Sequence, residues 1–213
     1  MRAARREKLG LTRAEFAILK PLTTPHKIQE FLNRIKPNFE PDGDTLMPVR
    51  KVLKLRRAHC IEGAMLAACA LWIHGEPPLL LDLKAVNDYD HVVALFCRNG
   101  CWGAISKTNH PALRFRNPVY RTLRELALSY FHEYTNKKGQ LTLREYSRPF
   151  DLRKVAPALW VTNDEDCWDV AEKLDNSRHY PLLAKTQTRA LRRLDVFERR
   201  AGILREHSKP RRK

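Results

Sequence analysis

Apolar residues recur at helical spacing through the first third of the chain. Residues 1–20 are expected to be helical, with Leu11-Thr12-Arg13-Ala14-Glu15 as a start. Thr24-Pro25 opens a second helix, with proline in the first turn, and Ile28, Phe31, Leu32 and Ile35 give it an apolar face. Residues 37–44 are rich in turn formers, and Pro48 to Leu55 reads as a further short helical segment. Residues 61–74 are apolar almost all round, which predicts a buried helix; Gly75 caps it and Pro77-Pro78 prevent its continuation. The period then changes. Leu79–Leu83, His91–Cys97 and Cys101–Ser106 read as strands, and Asn99-Gly100 between the last two is a strong signal for a two-residue hairpin turn. Thr122–Tyr134, Glu165–Leu174 and Ala184–Ile203 are expected to be helices. The order of helices, a short meander and more helices predicts an α+β fold.

The hairpin sets a register. With Asn99 and Gly100 in the turn, 98 pairs with 101, 97 with 102, 93 with 106 and 91 with 108. Side chains alternate faces, so His91, Val93, Leu95 and Cys97 share a face with Trp102, Ala104, Ser106 and Thr108. His91 and Ser106 then become diagonal neighbours, roughly 7–8 Å apart at Cα. Ser106 is thereby placed to orient His91, as the third member of a nucleophile–base–orienter chain. Cys60 stands where loop becomes helix. The free N–H groups of a helix N-terminus favour a thiolate there and can hold an oxyanion. Cys69 lies mid-helix on an apolar face and reads as inert core, and the acidic neighbours of Cys167 disfavour a thiolate. Glu62 reads as a first-turn acid or as a partner for His59; His59 reads as a second proton carrier or a partly exposed neighbour.

The order of a Cys-bearing helix, a strand opened by His and a Trp-bearing strand resembles the transglutaminase-like superfamily, in a bacterial-type form. The matching pieces are Arg57-Ala58-His59-Cys60-Ile61-Glu62-Gly63-Ala64, Asp90-His91-Val92-Val93-Ala94-Leu95-Phe96 and Trp102-Gly103-Ala104-Ile105-Ser106. The resemblance spans residues 25–110. It implies a transglutaminase-like, papain-like core, with a nucleophile-bearing helix packed on a small antiparallel sheet. The implied organisation is a basic helical extension over 1–24, the core over 25–155, and a helical region with a basic tail over 156–213. The implied activity is that of a cysteine-dependent hydrolase or acyl transferase on an amide or peptide bond, with Cys60 as nucleophile, His91 as base and a protein, peptide or amide as substrate. The superfamily's third residue is normally an aspartate. Ser106 can fix a tautomer but adds no negative charge. Asn109 is the alternative orienter if the strand ends early, and Asp88 or Asp90 could supply charge from the preceding loop.

Charge adds a second reading. The chain has 213 residues, is 43% hydrophobic and carries a formal charge of +16, enough apolar content for one core. Residues 1–59 hold 14 Lys/Arg against 6 Asp/Glu, residues 60–110 hold 3 against 5, and residues 181–213 hold 11 against 3. Basic ends around a near-neutral middle fit either a solvated surface or weak contact with nucleic acid or another polyanion. The alternative function is therefore a catalytically weak binding module of the same fold. Five cysteines without regular spacing do not form a disulfide framework, and no signal peptide is visible. The longest apolar run, Ala64 to Ile73, is too short to cross a bilayer. These features predict a soluble, cytoplasmic protein. No Cys-x-x-Cys, His-x-x-x-His, Gly-rich phosphate loop or His-Glu-x-x-His occurs, so neither metal nor cofactor is expected; Cys97, Cys101 and His110 make only a poor zinc set.

Overall fold

A computed structural model describes residues 3–41 and 43–209. The N-terminal stretch forms two helices rather than one, α1 (Arg6–Leu9) and α2 (Arg13–Leu19). Gly10 closes α1 in the left-handed region, at φ 67°. Thr12 then starts α2 with a capping box: its hydroxyl accepts from the Glu15 N–H, and its own N–H donates to the Glu15 carboxylate. Thr24 caps α3 (Pro25–Asn33) with a single bond, its hydroxyl accepting from the Lys27 N–H. β1 (Lys36–Pro37) pairs in parallel with β2 (Arg57–Ala58), on either side of α4 (Val49–Leu55). The next helix, α5 (Cys60–Ile73), is buried at every position from Ile61 to Ile73. Leu9, Leu11, Leu19, Ile28, Leu32 and Val52 share one core with it. Ala4 N–H donates to the Trp72 carbonyl at 2.9 Å, so the N-terminal segment belongs to this core.

The other side of α5 packs on a sheet. Its strands are β3 (Leu79–Ala85), β4 (His91–Arg98), β5 (Cys101–Ile105), β6 (Arg116–Tyr120), β7 (Leu143–Ser147), β8 (Phe150–Asp151) and β9 (His179–Pro181). All neighbours are antiparallel, in the order β6-β5-β4-β3-β7-β9, and β8 also pairs with β3. The β4–β5 hairpin has the expected register, with Arg98 opposite Cys101 and Cys97 opposite Trp102. Asn99 and Gly100 are both left-handed, at φ 52° and 77°, as the tight turn requires. Leu80, Val92, Ala94, Phe96 and Ile105 face α5. Leu81, Leu83, Val93, Leu95 and Ala104 face a second core built with Leu126 and Ala127 of α6 (Leu123–Leu128), Tyr130, Phe131 and Leu143. The fold is thus α+β with a sheet covered on both faces.

Three expectations change. The sheet is larger than the three strands read from the sequence, because β6 and β7 are spelled with Arg, Asn, Glu and Ser and show little apolar alternation. The helix expected over 122–134 stops at Leu128 and is followed by a single tight turn at Phe131–Glu133. Beyond residue 156 the chain is not only helical. It holds α7 (Pro157–Trp160) and α8 (Trp168–Asp175), then β9 on the sheet edge, then α9 (Lys185–Arg189) and α10 (Val196–Gly202). The last two replace the one helix expected over 184–203, because Asp195 starts α10 with a new N-cap, accepting from the Glu198 N–H. The basic tail continues past residue 209 into residues 210–213, which lie outside the described residues. Among the described residues no helix is long and apolar enough to cross a membrane.

Close packing of α5 makes one glycine indispensable. A Cβ at Gly63 would lie 2.3 Å from the Cβ of Lys107. Helix propensity alone favours alanine over glycine by about 0.8–1.0 kcal/mol. The clash is with an atom fixed to the backbone, so overpacking outweighs propensity. Gly63→Ala should lower unfolding free energy by about 1–3 kcal/mol in urea denaturation; an unchanged or raised midpoint would contradict this packing.

Candidate active site

The start of α5 is fixed by a buried carboxylate. Glu62, fully inaccessible, accepts from the His59 N–H at 2.8 Å, the Met47 N–H at 2.8 Å, the Thr45 hydroxyl at 2.9 Å and the Asn38 amide at 3.3 Å. One acid in the first turn therefore ties the 38–47 loop to the helix N-terminus, where negative charge is favoured. Cys60 is the first residue of that helix. Its own N–H, like the others of the first turn, has no intrahelical carbonyl to bond.

His91 opens β4, and Ser106 follows the last residue of β5. The His91 Nε2 lies 2.8 Å from the Ser106 Oγ, and that Oγ lies 2.6 Å from the Leu113 carbonyl oxygen. A carbonyl only accepts, so the single hydroxyl proton goes to Leu113. Ser106 must then accept from His91 Nε2–H. This fixes the tautomer and leaves Nδ1 for the Cys60 thiol, which hydrogen-bonds with the His91 side chain. By parity with Val93 and Leu95, His91 belongs to the sheet face away from α5. Its ring still acts on the Cys60 thiol. Gln29 holds Ser106 in turn: its Oε1 accepts from the Ser106 N–H at 2.9 Å, and its Nε2 donates to the Ser106 carbonyl at 2.8 Å.

A second histidine joins the thiol. Burial alone would raise the Cys60 pKa; hydrogen bonds from His59 and His91 and their charges overcome it and hold the thiol well below its ordinary value. His59 moves the opposite way. Burial disfavours its cation, but the bond to Cys60 and the charges of Cys60 and Glu62 raise it to about 9. The His59 Nε2 donates to the Thr45 carbonyl at 2.8 Å and lies 3.4 Å from Glu62. Cys60 thus lies beside two imidazoles that favour its thiolate form. By contrast, burial pushes the Cys69 and Cys167 thiols up to about 12.

The other candidates are engaged elsewhere. The Asn109 amide bonds the backbone of His207, not His91. Asp88 accepts from the Thr142 hydroxyl, and Asp90 accepts from the Ala85 N–H. Cys97 is exposed at the hairpin end. One acidic cluster does form: Asp82, Asp90 and Asp175 each bring a carboxylate oxygen within 4.8 Å of the others. His179 lies 3.0 Å from Asp82, and the ammonium of Lys84, 2.7 Å from Asp175, supplies countercharge. Sequence reading missed Gln29, although a glutamine beside Ile28 on an apolar helix face was a visible signal. It also missed Lys107, which is buried with its Nζ 2.5 Å from the Ile35 carbonyl and its pKa lowered by burial to about 8.

Cys60 and His91 open into a cavity of about 420 Å³, bounded by the 37–40 loop, Asp88–Asp90, Tyr134 and the 107–113 segment. No family model matches the chain, and no curated protein matches it. The site's chemistry therefore stands on its geometry.

Glu62→Gln should lower stability by about 2–3 kcal/mol, because an amide nitrogen would face donors that the carboxylate now satisfies. Thermal and urea unfolding measure this. His59→Gln should raise the Cys60 pKa, since it removes a cation from beside the thiolate; an unshifted alkylation profile against pH would contradict the assignment.

Proposed function

We propose that the chain is a cysteine hydrolase or acyl transferase acting on an amide or peptide bond, through a transglutaminase-like, papain-like core. The observation that carries this reading is the chain of contacts from Cys60 to His91 to Ser106, with the thiol lowered by histidines at a helix N-terminus. The Cys60 thiolate attacks the substrate carbonyl carbon, and a tetrahedral oxyanion forms. The first-turn N–H of Cys60 donates to that oxygen. The oxyanion collapses, the C–N bond breaks and His91 gives its Nδ1 proton to the leaving amine, leaving a thioester on Cys60. Water then attacks the thioester in hydrolysis, or an amine in transfer. His91 takes the attacking group's proton, and the thiolate leaves.

Ser106 acts through His91 and is a positioning residue. Its role is to keep Nε2 protonated and Nδ1 toward the sulfur. It supplies no charge, so the ion pair relies on the thiolate itself and on His59. Three substitutions separate these roles. Cys60→Ala should abolish turnover while circular dichroism stays unchanged. His91→Ala should reduce kcat by roughly 10²–10⁴-fold. Ser106→Ala should cost about tenfold in kcat with little change in KM, the loss expected for a neutral orienting bond of about 1 kcal/mol. The assay follows release of ammonia or amine from a glutamine-containing protein, alone and with a fluorescent amine added. A folded Cys60→Ala protein that keeps full turnover would overturn the proposal.

A further inference from the structure

The cavity over Cys60 is roofed by the chain's own end. After α10 the chain runs as a strap, residues 203–209, and Arg205 and Lys209 line the same cavity as Cys60 and His91. The strap is held by its backbone. Asn109 donates its amide to the His207 carbonyl at 2.8 Å and accepts the His207 N–H at 2.9 Å, and the Asn109 carbonyl accepts the Glu206 N–H at 3.0 Å. Arg114 pairs with Glu206 at 2.5 Å. Apolar burial adds little: Ile203 and Leu204 are 60% and 61% exposed. Contacts of this kind read a polypeptide backbone whatever its sequence, as a strand edge does.

Charge says which polypeptide. Without the strap, the cavity wall offers the carboxylates of Glu40, Asp88, Asp90 and Glu133 against the ammonium of Lys107 and the imidazoles of His59, 3.7 Å from Glu40, and His91, beside the Cys60 thiol. Glu133 is shared with Arg116, and the Lys107 Nζ is turned to the Ile35 carbonyl. Asp88 and Asp90 are left without a cation of the wall paired to them, and the strap brings Arg205 and Lys209 to the same cavity. We infer that the cleft takes a basic, extended polypeptide segment, and that residues 203–209 hold that place in cis. The inference rests on the cleft being the substrate site proposed above. It runs against the polyanion expectation for this part of the chain: a phosphate backbone would meet the carboxylates of the wall, and Arg205 and Lys209 already line the same cavity.

The test measures binding rather than turnover, in the full chain carrying Cys60→Ala. The probe is a fluorescein-labelled peptide copying residues 202–209, followed by anisotropy. Two strap-releasing backgrounds are compared with the intact strap: Asn109→Ala, which removes two of the strap's bonds, and Glu206→Lys, an exposed change that sets two cations against each other. Both should bind the peptide about tenfold more tightly than the intact strap, the gain expected from losing one or two hydrogen bonds of the competing segment. Glu40→Gln with Glu133→Gln should weaken that binding. A peptide with its Arg and Lys replaced by Glu should not compete. Glu206→Lys guards against a folding defect in Asn109→Ala, since an exposed substitution leaves the core untouched. Equal peptide affinity with and without release would overturn the inference. So would equally tight binding of the acidic peptide or of a single-stranded oligonucleotide. Tight binding of the basic peptide by a protein that never turns over an amide would uphold the inference and remove only the catalytic reading.

Discussion

Everything at the candidate site depends on a buried negative charge in the first turn of α5. Glu62 has no access to solvent, yet it accepts hydrogen bonds from His59, Met47, Thr45 and Asn38. An unpaired buried carboxylate would cost several kcal/mol; here each bond offsets part of that cost and fixes a different piece of chain. The His59 bond sets where the helix begins, and the other three hold the 38–47 loop over that beginning. Cys60 therefore has no choice of position. Its thiol emerges at the positive end of a helix buried from Ile61 to Ile73, beside His59 and His91.

The second constraint is the sheet register. The Asn99-Gly100 turn aligns β4 with β5, and that alignment brings His91 and Ser106 to the same end of the sheet. A serine in this position gives geometry without charge. Its hydroxyl proton is committed to the Leu113 carbonyl and its backbone is clamped by Gln29, so it can only accept. The electrostatic support for a thiolate comes instead from His59, which keeps its proton up to about pH 9. In the proposed chemistry the orienting and charge-stabilising roles are thus divided between two residues on different elements. The thiolate form, favoured by its histidine neighbours, is lost in acid as the sulfur takes up a proton.

Much of this was legible in the sequence where local rules decide. The hairpin register followed from two turn residues, and the helix-start position of Cys60 followed from the apolar helical run over 61–74 that it precedes. Long-range pairings were not legible. Gln29 reaches Ser106 across 77 residues, and Asn109 reaches His207 across 98. No spacing rule encodes such contacts. The strands β6 and β9 were hidden because they lie at the sheet's edges, where one partner and partial burial suffice, and β7, between β3 and β9, was hidden because its polar residues break the alternation. The helix expected over 184–203 failed because Asp195 and Glu198 start a new one.

The central claim is that Cys60 is a thiolate at neutral pH, held so by His59 and His91. Thiolate absorbance in the ultraviolet, taken as the difference between the native protein and Cys60→Ala across a pH titration, tests it most directly. The account predicts one thiolate's worth of difference absorbance already present at neutral pH, lost only in acid well below the ordinary thiol range of about 8.5. A difference signal that is absent at neutral pH and rises only through that ordinary range would contradict it.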